Sequence, residues 1–221
     1  MSLAMTNHTA RRTMMVDTQI RPSDVTKYPI IDAMLKVARE DFVPGALRDA
    51  AYADENLSLG EGRVVLEPRT LAKMLESLDI QGDELVLDIG SAYGYSSAVM
   101  ARLAEAVVAV EDMPEMTEES QNILSQHGAD NVIPHQGALA QGAPEHGPYD
   151  VITLQGGAQY LPESLTNQLK EGGRIACLFM QGALGQMRIG YKIEGVINWR
   201  FAFNAGAPVL PGFEKHNAFT L

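Results

Sequence analysis

Cysteine is nearly absent from this chain. The single Cys177 stands in an apolar run, so no intrachain disulfide can form, and a reducing, cytoplasmic setting suits it. Apolar runs are short. None reaches the roughly 20 residues that span a bilayer, and no basic-then-apolar signal opens the chain, so no membrane contact is expected. Positive charge is in deficit: 17 basic side chains face 28 acidic ones, for a net charge of −11. Such a surface repels phosphate backbones, which argues against a nucleic-acid partner. The arginines of the N-terminal third, Arg39, Arg48, Arg63 and Arg69, are interleaved with acids and read as a solvated mixed-charge face. The histidines, His8, His127, His135, His146 and His216, show no ligand spacing with one another, with cysteine or with an acid pair, so no metal site is expected. There is no G-x-S-x-G elbow and no Walker loop, which leaves nucleophilic hydrolysis and phosphoryl transfer without support.

What the chain does have is a core. Its 221 residues are 46% hydrophobic, enough for one α/β domain with an added subdomain. The most informative stretch is Glu84–Ala98, ELVLDIGSAYGYSSA. An apolar strand breaks at Gly90, passes through Ser91-Ala92-Tyr93-Gly94 and enters a helix. A short glycine turn between strand and helix lets backbone come close to a ligand. The next apolar run, Val107–Val110, closes on Glu111, 21 residues beyond Gly90. That is about where a nucleotide ribose needs a carboxylate acceptor. A ligand-free tight turn, with Asp88 capping it and Glu111 a solvated strand end, is the plainer reading of the same residues.

Alternation of strand and helix organises the rest. Strands are predicted over about 85–89, 107–111, 131–135, 150–154 and 174–180, with helices over about 95–104, 114–127 and 163–170. This predicts a doubly wound, mostly parallel α/β sheet. Residues 186–193 and 196–203, joined by Glu194-Gly195, read as an antiparallel edge hairpin that completes seven strands. Residues 1–13 read as a tail, and Met1-Ser2-Leu3 before a second Met5 has the look of a cloning scar. Residues 14–82 form an N-terminal extension. It holds a helix from Tyr28-Pro29 with the stripe Ile30, Ile31, Met34, Leu35 and Ala38, a loop over 50–62, and a helix from Pro68 with Leu71, Met74, Leu75 and Leu78 on one face. The ligand-binding domain is expected over 83–221.

Asp88-x-Gly90-x-Ala92-x-Gly94 is similar to the first motif of S-adenosylmethionine-dependent methyltransferases, D/E-x-G-x-G-x-G. Further matches run in order along the chain: Ala33-Met34 with Arg39-x-x-Phe42-Val43-Pro44, Tyr52-Ala53-Asp54, Tyr149-Asp150 with Gly156-Gly157-Ala158 and Pro162, and Gln168-Leu169-Lys170-Glu171-Gly172-Gly173-Arg174. From about Met14 to Leu221 the chain resembles the protein-L-isoaspartate O-methyltransferases, as a divergent member. The resemblance implies a Rossmann-like methyltransferase sheet, S-adenosyl-L-methionine as cofactor, and methyl transfer to a carboxylate. It places Asp88, Gly90, Ser91, Ala92, Gly94, Glu111, Gly137 and Ala138 at the cofactor, and Arg63, Leu66 and Glu67 in the substrate loop.

The departures from the family pattern fall at these positions. Gly62-Arg63-Val64-Val65-Leu66-Glu67-Pro68 stands where the family has G-Q-T-I-S-x-P, whose serine contacts the isoaspartyl carboxylate. Ala92 replaces the middle glycine, and Ala138 the acid that faces the adenine amine. The acceptor is therefore expected to be a damaged protein or peptide carboxylate, or a different, small-molecule acceptor. A non-catalytic binding protein that kept the fold is the alternative from another class.

Overall fold

The computed structural model describes residues 3–215, with side chains from His8 onward; Met1 and Ser2 of the expected tail lie outside the described residues. Six α-helices and nine strands are described: α1 Leu3–Met15, α2 Tyr28–Lys36, β1 Leu57–Gly60, β2 Arg63–Val65, α3 Pro68–Leu78, β3 Leu85–Ile89, α4 Tyr95–Met100, β4 Ala106–Glu111, α5 Pro114–Gln126, β5 Val132–Gln136, β6 Tyr149–Ala158, α6 Glu163–Thr166, β7 Leu169–Gln181, β8 Leu184–Ile193 and β9 Val196–Ala205. None of these helices is long and apolar enough to cross a membrane.

Seven strands make one sheet in the order β5-β4-β3-β6-β7-β8-β9, with β1 and β2 forming a separate hairpin. Neighbours from β5 to β7 pair in parallel, and β8 and β9 add antiparallel. The predicted fold class holds. Side chains of the central strands alternate between two cores: Val86, Val107, Ala109, Ala176 and Leu178 face one, Leu87, Val108, Val110, Ile175 and Cys177 the other. Burial on both faces is why these strands read as unbroken apolar runs. The β8–β9 turn has positive φ at both Glu194 and Gly195 (53° and 75°), the geometry that right-twisted hairpins prefer. The chain builds β4 and β5 on one side of β3 and β6 on the other, so β3 marks the topological switch point where ligands bind in such sheets.

Four expectations need correction. The tail is helical: α1 continues through turns to Ser23, and Met15, Val16 and Ile20 are buried. Arg12 ties it down by donating to Glu40 (3.1 Å) and to the Tyr52 hydroxyl (2.9 Å), long-range partners that no local periodicity announces. The loop expected over 50–62 contains β1, whose four residues are too few to show alternation. The helix expected over 163–170 stops at Thr166, and β7 begins at Leu169. There Leu169 pairs with Tyr149, and the ladder resumes at Arg174 opposite Val151. The chain bulges between them through Gly172 at φ 79°, a conformation a helix cannot hold. Finally, Arg39 and Arg63 do not belong to a solvated face; they are 0% and 1% exposed.

Candidate active site

The crevice lies where β3 and β4 end. Gly90 and Ser91 both point their N–H groups at Val110 O (2.9 and 3.2 Å), and Gly94 N–H closes the turn on Ser91 O at 2.8 Å. Gly90 and Gly94 have φ of 74° and 91°, so both positions use glycine's freedom. Ala92 also sits in the left-handed region, at φ 49°, where the motif normally has glycine. That conformation strains an L-residue by about 1–2 kcal/mol. Ala92→Gly is therefore expected to gain about 0.5–1 kcal/mol net of unfolded-state entropy. A urea melt showing a loss instead would mean that the buried methyl packs well enough to outweigh the strain.

Asp88 ends β3 fully buried and is held by four side chains. Ser96 and Ser97 Oγ donate to Oδ2 (both 2.6 Å), while Thr153 Oγ1 and Gln155 Nε2 donate to Oδ1 (2.8 and 2.7 Å). Burial pushes this carboxyl above the usual aspartate range, against the pull of those donors. Asp88 thus locks the turn, α4 and β6 together.

Glu111 ends β4 and is also buried. Its Oε2 accepts from Ala92 N–H (2.9 Å), and its Oε1 from the N–H groups of Asp112 (3.0 Å) and Met113 (3.1 Å). Arg63 fills the remaining side. Its Nε lies 3.0 and 3.1 Å from the two Glu111 oxygens, its Nη2 donates to Asp112 Oδ1, and Nη1 reaches Glu61 O at 3.5 Å. Burial pushes the Glu111 carboxyl up, and Arg63 pulls against it.

Two segments roof the turn. The β1–β2 hairpin brings in Arg63, and its continuation lays Leu66, 2% exposed, against the turn. Arg39 fixes that continuation: it donates to Ala51 O (2.6 Å) and Leu66 O (2.8 Å) while stacking over the Tyr95 ring at 4.8 Å. Glu67 opens α3 and accepts from Thr70 Oγ1 (2.6 Å) and Arg69 Nη2 (3.0 Å), so it serves its own helix. The second roof is the segment after β9. Pro208 O and Leu210 N–H pair with Gly157 (2.7 and 2.9 Å), and the buried Leu210 side chain comes down on the turn. A Cβ at Gly90 would lie 3.1 Å from Leu210 Cδ2, and one at Gly156 2.7 Å. Asn56 joins the two roofs, donating to Gly206 O (2.7 Å) and accepting from Glu67 N–H (2.8 Å).

Of the positions expected at a cofactor, the structure gathers Asp88, Gly90, Ser91, Ala92, Gly94 and Glu111. Gly137 follows β5, donating to Glu111 O at 3.0 Å, and Ala138 faces solvent. Nothing in the sequence singles out Leu210, Gln155, Thr153 or Arg39 for the site. Leu210 lies 120 residues from Gly90 in an aperiodic Pro/Gly segment, and only the fold brings it there. Ser96 and Ser97 carried a signal, two hydroxyls in the first turn of the helix that follows the glycine turn.

Space decides whether an S-adenosyl group fits. Between the turn and its roofs, the cavity lined by Leu66, Tyr95 and Gln155 is about 10 Å³, room for a single water. A cofactor-sized cleft is on the order of 300 Å³ or more. The frame of the turn suits the cofactor; the space in this conformation does not. Outside the Arg63–Asp112 contact lies an open groove of about 500 Å³ bounded by Glu61, Met113, Pro114 and Pro211.

Away from the crevice, His135, Glu145 and His146 come together, with their ligand atoms within 4.8 Å of one another and His135 Nδ1 3.5 Å from Glu145 Oε1. Sequence spacing does not pair them, because β5 and the turn at Pro144–His146 meet only in the fold.

Comparison with known proteins follows the same lines. The family model described as Protein-L-isoaspartate(D-aspartate) O-methyltransferase matches residues 10–188. Protein-L-isoaspartate O-methyltransferase 1 of Rhodopseudomonas palustris (strain HaA2) is 38% identical over 77% of this chain and 69% of its own length. Protein-L-isoaspartate O-methyltransferase 2 of Pelobacter propionicus is 32% identical over 92% of this chain and 94% of its own. A solved protein-L-isoaspartate O-methyltransferase superposes with a TM-score of 0.79 at 26% identity, covering 91% of this chain and 66% of that one. A Plasmodium falciparum protein named for the same activity, solved with S-adenosyl-L-homocysteine, shares the fold: TM-score 0.77, 19% identity, 92% of this chain and 97% of that one.

Proposed function

The chain belongs to the protein-L-isoaspartate(D-aspartate) O-methyltransferase family, and from that premise we propose that it transfers a methyl group from S-adenosylmethionine to a carboxylate. The observation that carries this reading is the glycine turn at the switch point with Glu111 ending the adjacent strand. A carboxylate is ionised at neutral pH and is its own nucleophile, so the reaction asks the protein to align and to exclude water, and needs neither acid nor base. The crevice is lined accordingly, by apolar side chains with serine, tyrosine and glutamine.

The relatives are named for isoaspartate, and the acceptor of this chain is expected to differ or to be used poorly. Leu66 stands where the family has a serine donor, and its side chain adds bulk at the crevice. Labelled S-adenosylmethionine with an isoaspartyl peptide is expected to give slow turnover in the wild type and at least a tenfold gain in Leu66→Ser. Wild-type turnover as fast as the variant's would remove Leu66 as a determinant of the acceptor.

The filled crevice favours a second reading, a binding protein that keeps the fold without the cofactor. Calorimetric titration with S-adenosylhomocysteine separates the two: heat at micromolar ligand supports the methyltransferase, and none at millimolar ligand the binding protein.

A further inference from the structure

We propose that Arg63 is a built-in competitor for the cofactor, holding Glu111 in place of a ribose and keeping the crevice shut until the two exchange. This rests on the methyltransferase reading above and concerns how that same site is controlled.

The ribose needs the Glu111 oxygens as acceptors, and those oxygens are already saturated. Three backbone N–H groups and Arg63 Nε converge on them. The backbone donors belong to the frame and would stay when a ligand arrives. Arg63 is the one partner that reaches Glu111 from a roof: it opens β2, 48 residues away along the chain. Its Nε–H is shared between the two Glu111 oxygens while Nη2 turns to Asp112, so one charged donor occupies the two acceptors that a pair of ribose hydroxyls would use. It is nearly free of solvent, and water does not compete for the contact. Arg63 also anchors the hairpin through Asp112, so its release frees the near end of this roof, while Arg39 and Asn56 hold the far end at Leu66 and Glu67. The 500 Å³ groove outside the Arg63–Asp112 contact is open to solvent, which gives an approaching nucleoside access to the latch from that side.

Affinity for the cofactor is then reduced by the fraction of molecules in which the latch is open. Glutamine at this position would carry no charge to compete for the carboxylate. The test is calorimetric titration of S-adenosylhomocysteine into the wild type, Arg63→Gln and Arg63→Ser, each first checked for a cooperative melt. Two substitutions of different size guard against one failing to fold. The expected result is a dissociation constant at least 30-fold lower in either variant than in the wild type, together with a larger ligand-induced rise in melting temperature. Equal and tight binding by wild type and variants would overturn the latch and leave the methyltransferase reading standing. Binding by none of the three would overturn both, because opening the latch would then have exposed no cofactor site.

Discussion

Asp88→Leu is expected to cost about 3–5 kcal/mol of folding stability, and Asp88→Asn less than about 1. Leucine shares the branched shape, with larger methyl groups, but strands four polar groups that the fold has buried around the carboxylate: the hydroxyls of Ser96, Ser97 and Thr153 and the amide of Gln155. Each stranded donor costs about 1–3 kcal/mol, offset in part by rotation of the hydroxyls. Asparagine can satisfy the same set. Its carbonyl replaces Oδ1 for Thr153 and Gln155. Its NH₂ replaces Oδ2, and the two serine hydroxyls turn to accept. At about 2–4 °C per kcal/mol for a chain of this size, the two variants should differ by some 10 °C in melting temperature.

The pH dependence of the pair sharpens the test. A carboxyl whose folded-state value is raised holds its proton more tightly folded than unfolded, so its ionisation subtracts stability as pH rises. The loss begins near the ordinary aspartate value of about 4 and continues up through the raised one. Asparagine does not ionise, so Asp88→Asn should gain on the wild type between pH 4.5 and 7.5 in parallel urea melts. A constant gap would mean that Asp88 is no harder to ionise folded than unfolded.

The parts of the fold legible from sequence were those with a local cause. Buried strands such as Val107–Val110 announce themselves as apolar runs, Glu194-Gly195 as a hairpin turn, and Gly90 with Gly94 as a tight strand-to-helix turn. The frame of the site was legible for the same reason, since Asp88 and Glu111 end strands that the pattern marks out. What fills the site was not. Arg63 among charged neighbours reads as a surface residue, and nothing in Gly62–Glu67 says that its side chain turns inward to Glu111. Leu210 is a lone leucine between prolines. The helix at residues 3–15 is polar through its middle, Thr6–Thr13, and is secured by Arg12 reaching 28 residues ahead to Glu40. Each of these depends on contacts far apart in the chain, and one sequence carries no record of them.

Glu111→Ala is expected to be more damaging to the folded protein than Arg63→Gln, by about 3–5 kcal/mol against about 1–2. The asymmetry follows from what each change leaves behind. Without Glu111, the buried guanidinium of Arg63 keeps only Asp112, which is 34% exposed, and a carbonyl at 3.5 Å. The N–H groups of Ala92, Asp112 and Met113 lose their acceptor at the same stroke. Without Arg63, Glu111 still accepts from all three N–H groups. The double variant should recover at least 1 kcal/mol relative to the sum of the singles, since the stranded cation is then gone. The measurement is a double-mutant cycle by urea denaturation. If Glu111→Ala proved as mild as Arg63→Gln, the carboxylate would be dispensable to the fold. Weaker cofactor binding in Glu111→Ala would then report the missing bonds to the ribose and not a disordered turn. If it proves as costly as expected, Arg63 is the side from which the latch can be opened without taking the turn apart. Glu111 holds the turn through three backbone N–H groups, whereas Arg63 reaches it from the β1–β2 hairpin alone.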